Sequence, residues 1–159
     1  WNDIYDLVEG QSGKQVFSAD FRLLKDRDSL ILSPIDHSDI QEEFFVNENQ
    51  TEVKIPLKMT FCKAADISVA SNKTIFVDED QLLIRKWKSG DVFQPFGMNG
   101  KSKKVSKLFK DEKLSLIEKE NTWLLCSNDQ IVWVIGIRAD HRFRTSNTTK
   151  NILKIEFEN

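Results

Sequence analysis

The sequence contains few of the residues that build metal sites, disulfide frameworks and flexible linkers. Its 159 residues include two cysteines, two histidines, three prolines and six glycines. Cys62 and Cys126 stand alone without CxxC spacing, which favours two buried thiols in a reducing compartment over a disulfide or zinc ligands. His37 and His141 have no cysteine or histidine at ligand spacing, so no metal site is predicted.

Membrane and catalytic signatures are missing as well. No apolar run approaches the roughly 18 residues that a membrane span needs, and no secretory leader is visible, so we expect a cytoplasmic protein. The segment GQSGKQ lacks the first glycine and the Ser/Thr of a phosphate-binding loop. No nucleophile motif occurs, and we predict no catalytic residue in this chain. An independent enzyme stays an alternative only if Asp91, Asp140 and His141 share a pocket.

Short apolar runs separated by polar turns dominate what is present. Residues 1–9, WNDIYDLVE, place Trp1, Ile4, Tyr5 and Val8 on one helical face, and Gly10 ends this helix. Runs such as SLILSPI, TEVKIPLKMTF and IVWVIGIR predict seven to nine strands, with a hairpin turn at SNDQ. With one internal helix near residues 103–112, the pattern predicts an α+β fold of mainly antiparallel sheet. Residues 1–10 are then the tail of a preceding helix and residues 11–159 one domain. Because the chain begins at Trp1, we expect it to belong to a longer protein.

Positive charge is concentrated in one segment of this mildly acidic chain. Residues 85–113 hold eight lysines and one arginine against three acids, whereas the whole chain sums to −2. After the turn GMNG, Ser102 is the expected N-cap of a helix that turns Val105, Leu108 and Phe109 to the core. Lysines at both the helix start and its outer face repel one another, and a phosphate docked at the start would relieve this. A solvated, purely solubilising face is the alternative.

A second basic cluster lies downstream, in GIRADHRFR. If this segment is extended, Arg138, Arg142 and Arg144 form a row on one face, opposite a buried row of Ile137, His141 and Phe143. Arginine suits phosphate groups because its planar fork can donate two parallel hydrogen bonds. The aromatic residues of the first basic segment, Trp87 and Phe96, could stack on bases, although core packing is the commoner use of single aromatics.

Two segments resemble the C-terminal domain of the tRNA(Ile)-lysidine synthase family. The first is RKWKSGDVFQPFGMNGKSKKVSKLF, in which a basic residue precedes Gly-Asp, and Pro-x-Gly-Met-x-Gly and a Lys-Lys pair precede an apolar helix. The second is IVWVIGIRADHRF, with the pattern Trp-Val-x-Gly-x-Arg-x-Asp-x-Arg, and TTKNILKI follows it. The resemblance is strongest over residues 80–157 and looser over residues 11–79.

The resemblance implies both a fold and a function. The fold would be a sandwich-like sheet assembly with a helix, as in the domain shared with the phenylalanyl-tRNA synthetase β chain. Enzymes of this family are ATP-dependent ligases that attach lysine to the wobble cytidine of an isoleucine tRNA with a CAU anticodon. Their catalytic loop, Ser-Gly-Gly-x-Asp-Ser, is absent from this sequence. ATP, magnesium and lysine would therefore be used by an N-terminal catalytic domain, with no cofactor in this fragment.

This chain would then be the tRNA-recognition domain, which grips the acceptor-stem side of the tRNA. A homodimer of the parent enzyme is one option for its assembly. The alternative is a docking module that packs on the catalytic domain or on a second subunit without touching RNA. The residues expected to bind nucleic acid are basic side chains of the two clusters: Arg85, Lys88, Lys101, Lys103, Lys104, Lys107, Arg138 and Arg142.

Overall fold

Antiparallel strands make up most of the structure, which is a computed structural model. It describes residues 2–35, 43–47, 49–65, 71–78, 81–146, 149 and 151–158. The chain divides into two compact units, Trp1–Ile40 with Leu114–Lys119, and Gln41–Lys113 with Glu120–Asn159. No helix within the described ranges is long and apolar enough to cross a membrane. The division of the chain at residue 10 stays a prediction.

The first unit holds a helix and a three-stranded sheet. Its elements are α1 (Asn2–Val8), β1 (Gln15–Phe17), β2 (Phe21–Asp26), β3 (Ser29–Pro34) and most of α3 (Leu116–Glu120). α1 packs on β1 and β2, with Leu7 and Leu24 buried. The predicted first helix is confirmed, but Tyr5 and Val8 of its apolar face are exposed because Leu7 is the residue that turns toward the sheet. Trp1 lies outside the described residues.

The second unit holds two larger antiparallel sheets. Its strands and helix are β4 (Glu43–Val46), β5 (Glu52–Val53), β6 (Lys58–Ala64), β7 (Thr74–Val77), β8 (Leu82–Lys86), β9 (Val92–Phe93), β10 (Lys103–Lys104), α2 (Val105–Asp111), β11 (Trp123–Ser127), β12 (Gln130–Val134), β13 (Arg138–Ala139) and β14 (Ile152–Glu158). The order in one sheet is β13-β12-β11-β8-β4, and in the other β5-β6-β14-β7. Within the described residues, the predicted α+β fold of mainly antiparallel sheet is confirmed.

The core of this unit lies between its two sheets. Met59 and Phe61 of β6 alternate with exposed or half-buried neighbours, as a strand with one buried face requires. They share one apolar cluster with Ile84, Leu125 and Trp133 of the five-stranded sheet. The predicted sandwich is therefore formed by β4–β8 and β11–β14, with β9 and β10 outside it.

A third layer covers the other face of the five-stranded sheet. β11 and β12 are buried on both faces, so their sequences lack the usual alternation. β9 contacts β12, and it pairs with β10, which leads directly into α2. Val105, Leu108 and Phe109 are buried, which confirms the predicted inner face of the helix. The layer therefore fixes the basic segment against a rigid sheet.

The two cysteines occupy different environments. Cys126 is buried in β11, and burial raises the pKa of its thiol to about 11. Cys62 is exposed, so the prediction of two buried thiols is wrong for this residue. The reason is strand alternation, because Phe61 points into the core and turns the next side chain outward. The hairpin predicted at SNDQ is confirmed between β11 and β12, with Asn128 and Asp129 at positive φ.

Candidate nucleic-acid interface

The basic segment is built on a short ribbon that ends in a glycine turn. β8 leads through a loop into β9, and the turn Pro95–Gly100 connects β9 to β10. Gly97 and Gly100 adopt φ values of 89° and 74°, which side chains other than glycine rarely tolerate. The Met98 N–H donates to the Pro95 carbonyl, and the Lys101 N–H donates to the Met98 carbonyl. The glycines of the GMNG motif therefore shape the turn itself.

Arg85 is committed to an internal ion pair. Its two terminal nitrogens donate to the Asp91 carboxylate at 3.0 and 2.8 Å, and both side chains are only 13% exposed. Asp91 also accepts the Lys88 N–H at 2.6 Å, which closes the loop between β8 and β9. Burial raises the pKa of Asp91, but the hydrogen bonds and charges of Arg85 and Lys88 outweigh it and hold the pKa below its usual value. Arg85 thus positions the loop.

The carboxylate of Asp140 organises the second basic cluster, GIRADHRFR, by accepting several hydrogen bonds. It is 2% exposed and accepts hydrogen bonds from the N–H groups of Gln94 and Arg142, both at 2.8 Å. The Arg142 guanidinium also donates to both oxygens of this carboxylate, at 3.0 and 2.8 Å. These bonds fasten the start of the glycine turn to the 3-10 helix His141–Phe143. Asp140 therefore joins the two sequence motifs into one structure.

The predicted arginine row is wrong, because the segment is not a continuous strand. β13 ends at Ala139 and the 3-10 helix begins at His141, which breaks the alternation. Arg138 donates to Glu112 at 3.2 Å, across to the end of α2. Arg142 is paired with Asp140, and the Arg144 guanidinium carbon lies 5.9 Å from the centroid of the Phe96 ring. The three arginines therefore contact different residues and do not form a row on one face.

The helix of the basic segment begins later than predicted, and its N-cap is Lys104 rather than Ser102. Lys103 and Lys104 pair with β9, which delays the helix to Val105. Lys104 makes no side-chain capping bond, and the Val105 N–H donates to the Asp91 carbonyl at 2.9 Å. An anion at the helix start would therefore find one donor already taken. Lys103 is itself 13% exposed and lies 2.6 Å from the Asp111 carboxylate.

Exposed lysines remain around this turn and helix. Lys88 forms a surface pair with Glu43 at 3.1 Å and is 57% exposed. Four others are exposed and, in the part of the chain that the structure describes, none of them forms an ion pair: Lys101, Lys104, Lys107 and Lys110. The eight residues expected to bind nucleic acid therefore fall into two groups. Five of them form ion pairs: Arg85, Lys88, Lys103, Arg138 and Arg142. The other three are exposed and follow the glycine turn: Lys101, Lys104 and Lys107.

The two aromatic candidates for base stacking also differ. Trp87 packs edge-on against Phe109, with ring centroids 5.1 Å apart, which is a core contact. Phe96 is 48% exposed at the tip of the turn, close to Arg144. Lys110, Phe96 and Arg144 are not among the eight residues expected to bind nucleic acid, although Phe96 was a candidate for base stacking and Arg144 part of the predicted arginine row. Their signal was weak, because only the folded turn shows which residues reach solvent.

The acidic residues offer no catalytic arrangement in the described ranges. Asp91 and Asp140 are each occupied by an arginine, so neither is placed as a general acid or base. Among the described residues, no group of three or more His, Cys, Asp or Glu side chains is arranged to hold a metal. His37 lies outside the described residues. His141 donates its backbone N–H to Gln94, which makes it part of the frame of the turn.

Comparisons with known proteins agree with this architecture. Residues 1–35 match the family model described as the TilS substrate binding domain, and residues 82–157 match the TilS substrate C-terminal domain. The tRNA(Ile)-lysidine synthase of Parabacteroides distasonis is 41% identical over 98% of this chain and 37% of that protein. The one from Bacteroides thetaiotaomicron is 38% identical over 95% and 34%.

A solved structure supports the fold independently. The crystal structure of a TILS C-terminal domain aligns with a TM-score of 0.60, covering 74% of this chain and 97% of that one. At 20% identity, this likeness concerns the fold. The chain spans about a third of the length of the curated relatives named above. The two family models and these relatives show that the chain belongs to the tRNA(Ile)-lysidine synthase family.

Proposed function

We propose that this chain is the tRNA-binding part of a cytoplasmic, ATP-dependent tRNA(Ile)-lysidine synthase. It holds the acceptor-stem side of the isoleucine tRNA with a CAU anticodon, while an N-terminal catalytic domain joins lysine to the wobble cytidine. ATP, magnesium and lysine act in that catalytic domain, and the assembled enzyme is a monomer or a homodimer. The observation that carries the proposal is a set of exposed lysines that form no ion pair with any residue that the structure describes, named here the lysine face: Lys101, Lys104, Lys107 and Lys110.

Electrostatics favour a polyanion at the lysine face. Four ammonium groups lie within ten residues of chain, on a turn and helix that buried apolar residues hold in place. Like charges this close on a helix repel one another, by about 0.2–0.5 kcal/mol for each pair at i,i+3 or i,i+4. Phosphate oxygens reverse the sign of this interaction and release condensed counterions from the RNA. A bound phosphate backbone therefore lowers the electrostatic free energy of the lysine face more than water does.

The contacts that such a face can make position the tRNA without identifying it. Lysine ammonium groups are flexible point charges, so they follow a phosphate backbone and do not measure base edges. The acceptor stem is an A-form helix, whose deep major groove excludes side chains. Shape and backbone charge are therefore what the lysine face senses, and the anticodon is left to the catalytic domain.

Binding of this chain to a CAU isoleucine tRNA transcript at several salt concentrations tests the proposal. The variant changes Lys101, Lys104 and Lys107 to glutamate. If each lysine neutralises one phosphate, the slope of log K against log salt should fall by about 2.7, or 0.9 per contact. At 0.1 M salt the same slope corresponds to an affinity loss of about two to three orders of magnitude.

A matched control separates local contact from net charge. Lys54, Lys63 and Lys73 are exposed lysines on or beside the four-stranded sheet, and changing them to glutamate alters the net charge equally. The proposal expects a much smaller loss from this control. Equal losses from both variants would show a general charge effect and contradict it. If neither variant weakens binding, the lysine face is only solvated and the docking role on the catalytic domain takes its place.

A further inference from the structure

An aromatic side chain is held outward beside the lysine face. Phe96 is 48% exposed, whereas Phe93, three residues earlier on the same ribbon, is 1% exposed. Leaving a phenyl ring half in water forgoes much of the stabilisation that its burial would bring. The exposure of a ring on a mobile loop would not indicate a binding role. The hydrogen bonds of the backbone around Phe96 therefore decide whether the ring is held in a fixed position.

The backbone beneath Phe96 is fastened on both sides. The Phe96 N–H donates to the Ala139 carbonyl at 2.9 Å, and the His141 N–H donates to the Gln94 carbonyl at 2.7 Å. Pro95 forms an isolated bridge with Asp140, the buried carboxylate that holds Gln94 and Arg142. Gly97 follows at positive φ, and a Cβ placed on it would meet no atom within 4 Å. The ring is thus presented by a rigid support, with open space next to it.

The surroundings of the ring suit a nucleotide. The Arg144 guanidinium carbon lies 5.9 Å from the Phe96 centroid, and Arg144 is exposed. The His141 ring centroid lies 6.0 Å from that of Phe96. Lys101 of the lysine face follows five residues later, at the end of the same turn. A flat apolar surface with cations beside it matches a base and its flanking phosphates.

We propose that Phe96 stacks on an unpaired base of the bound tRNA, with Arg144 placed to contact an adjacent phosphate. Inside a duplex the neighbouring base pairs cover both faces of each base, so only an unpaired nucleotide or a helix end offers a free face. The single-stranded 3′ end of a tRNA continues from the acceptor stem, which is the side that the proposed function assigns to this chain. The inference rests on that proposed function and adds a contact with the unpaired end.

Two transcripts of the CAU isoleucine tRNA test this, one with its single-stranded 3′ nucleotides and one trimmed to a blunt stem. Phe96→Ala and Phe96→Leu should each weaken binding of the complete transcript about tenfold, because both remove the π face. Phe96→Trp should bind as the wild type does. The salt slope should not change in any of them, since no charge is altered. On the blunt transcript the losses of Phe96→Ala and Phe96→Leu should be smaller, because only the terminal base pair is left for the ring to contact.

The control is Phe45→Ala, which removes a phenylalanine in β4 that is 76% exposed and should leave tRNA affinity unchanged. If Phe96→Ala binds the complete transcript as the wild type does, the ring serves another purpose, such as a protein contact, and the inference is overturned. Equal losses on both transcripts would overturn it too, because an unpaired 3′ base would not be the partner. In either case, a loss caused by the lysine variant would leave the proposed function standing.

Discussion

The arginines and the lysines of the basic region differ in how they are used. Arg85 and Arg142 each donate two side-chain hydrogen bonds to one carboxylate, and those carboxylates are the buried or nearly buried Asp91 and Asp140. The side chains of the lysine face are exposed and, among the described residues, form no ion pair, although the charge of Lys107 acts on Asp111. Both groups lie within one stretch of about sixty residues and would count equally in any sum of charge.

The difference follows from the chemistry of the two cations. Guanidinium is planar, always charged and able to donate in parallel to a carboxylate, which makes it suitable for fixing one part of a chain to another. Ammonium is strongly hydrated and sits on a flexible stem, which suits a contact with a moving or variable phosphate. In this domain Arg85 and Arg142 therefore fix the frame, whereas the lysine face is left for an outside anion.

Removing Asp140 should have the largest effect on stability. The change Asp140→Ala leaves the partly buried N–H groups of Gln94 and Arg142 without this acceptor and deprives Arg142 of its carboxylate. A loss of about 2–4 kcal/mol in the free energy of unfolding is expected from these unmet groups. Urea unfolding followed by near-ultraviolet circular dichroism measures it, since Trp133 is buried in the same unit.

Asp78→Ala is the matched control for that measurement. Asp78 is an exposed acid directly after β7, and its removal should change the free energy of unfolding by less than about 0.5 kcal/mol. A wild-type midpoint for Asp140→Ala would mean that the turn and the 3-10 helix are held together by other contacts. Arg142 would then not be needed to fix the frame, and the contrast between paired arginines and the exposed lysine face would not hold for this residue.

Removing Arg85 should have the next largest effect, and it should depend on pH. Arg85→Met leaves the Asp91 carboxylate 13% exposed without its cation, at a cost of about 2–3 kcal/mol near pH 7. Arg85→Lys keeps the charge but loses the fork, so part of that cost should remain. Urea unfolding of the three proteins at a series of pH values measures both effects.

The direction of the pH dependence follows from Asp91. In the wild type its pKa lies below the ordinary value of 3.8, so the pair stabilises the fold above that pH and the gain is lost as the pH falls through the folded pKa. In Arg85→Met, only the hydrogen bond and charge of Lys88 oppose the effect of burial, so the pKa of Asp91 rises relative to the wild type and protonation relieves the buried charge at a higher pH. The wild type and the variant should therefore converge as the pH falls below 3.8 and through the wild-type pKa of Asp91. A constant difference across the series would show that packing, not the ion pair, holds the loop.

Much of this fold could be predicted because its strands are long enough to show a period. β6 buries Met59 and Phe61 on one face, β14 alternates apolar and charged residues from Leu153 to Glu158, and the turn at Asn128–Asp129 has the residues that a tight hairpin needs. The inner face of α2 followed from the spacing of three apolar residues.

What could not be predicted depends on contacts between distant residues. β9 and β10 have two residues each, which is too short for any period, and their pairing is what moves the N-cap of the helix from Ser102 to Lys104. The bond between Asp140 and Gln94 spans 46 residues and has no local signal. Which cations are free therefore emerges only after folding, because it depends on where each carboxylate ends up.

Lys103 is expected to give the smallest effect. It is a lysine that is paired with a carboxylate, as Arg85 and Arg142 are, so it tests whether pairing or residue type decides the role of a cation. Its ammonium lies 2.6 Å from Asp111, and this contact lowers the pKa of Asp111. Lys107 lies on α2, four residues before Asp111, but is exposed and forms no ion pair in the described part of the chain. Lys103→Met should therefore lower the melting temperature slightly, whereas Lys107→Met should leave it unchanged.

For tRNA binding the order should reverse, with a reduced salt slope for Lys107→Met and the wild-type slope for Lys103→Met. Differential scanning fluorimetry and salt-dependent binding measure the two properties on the same samples. If both variants alter both properties alike, pairing with a carboxylate does not decide which cation serves the fold and which serves the RNA.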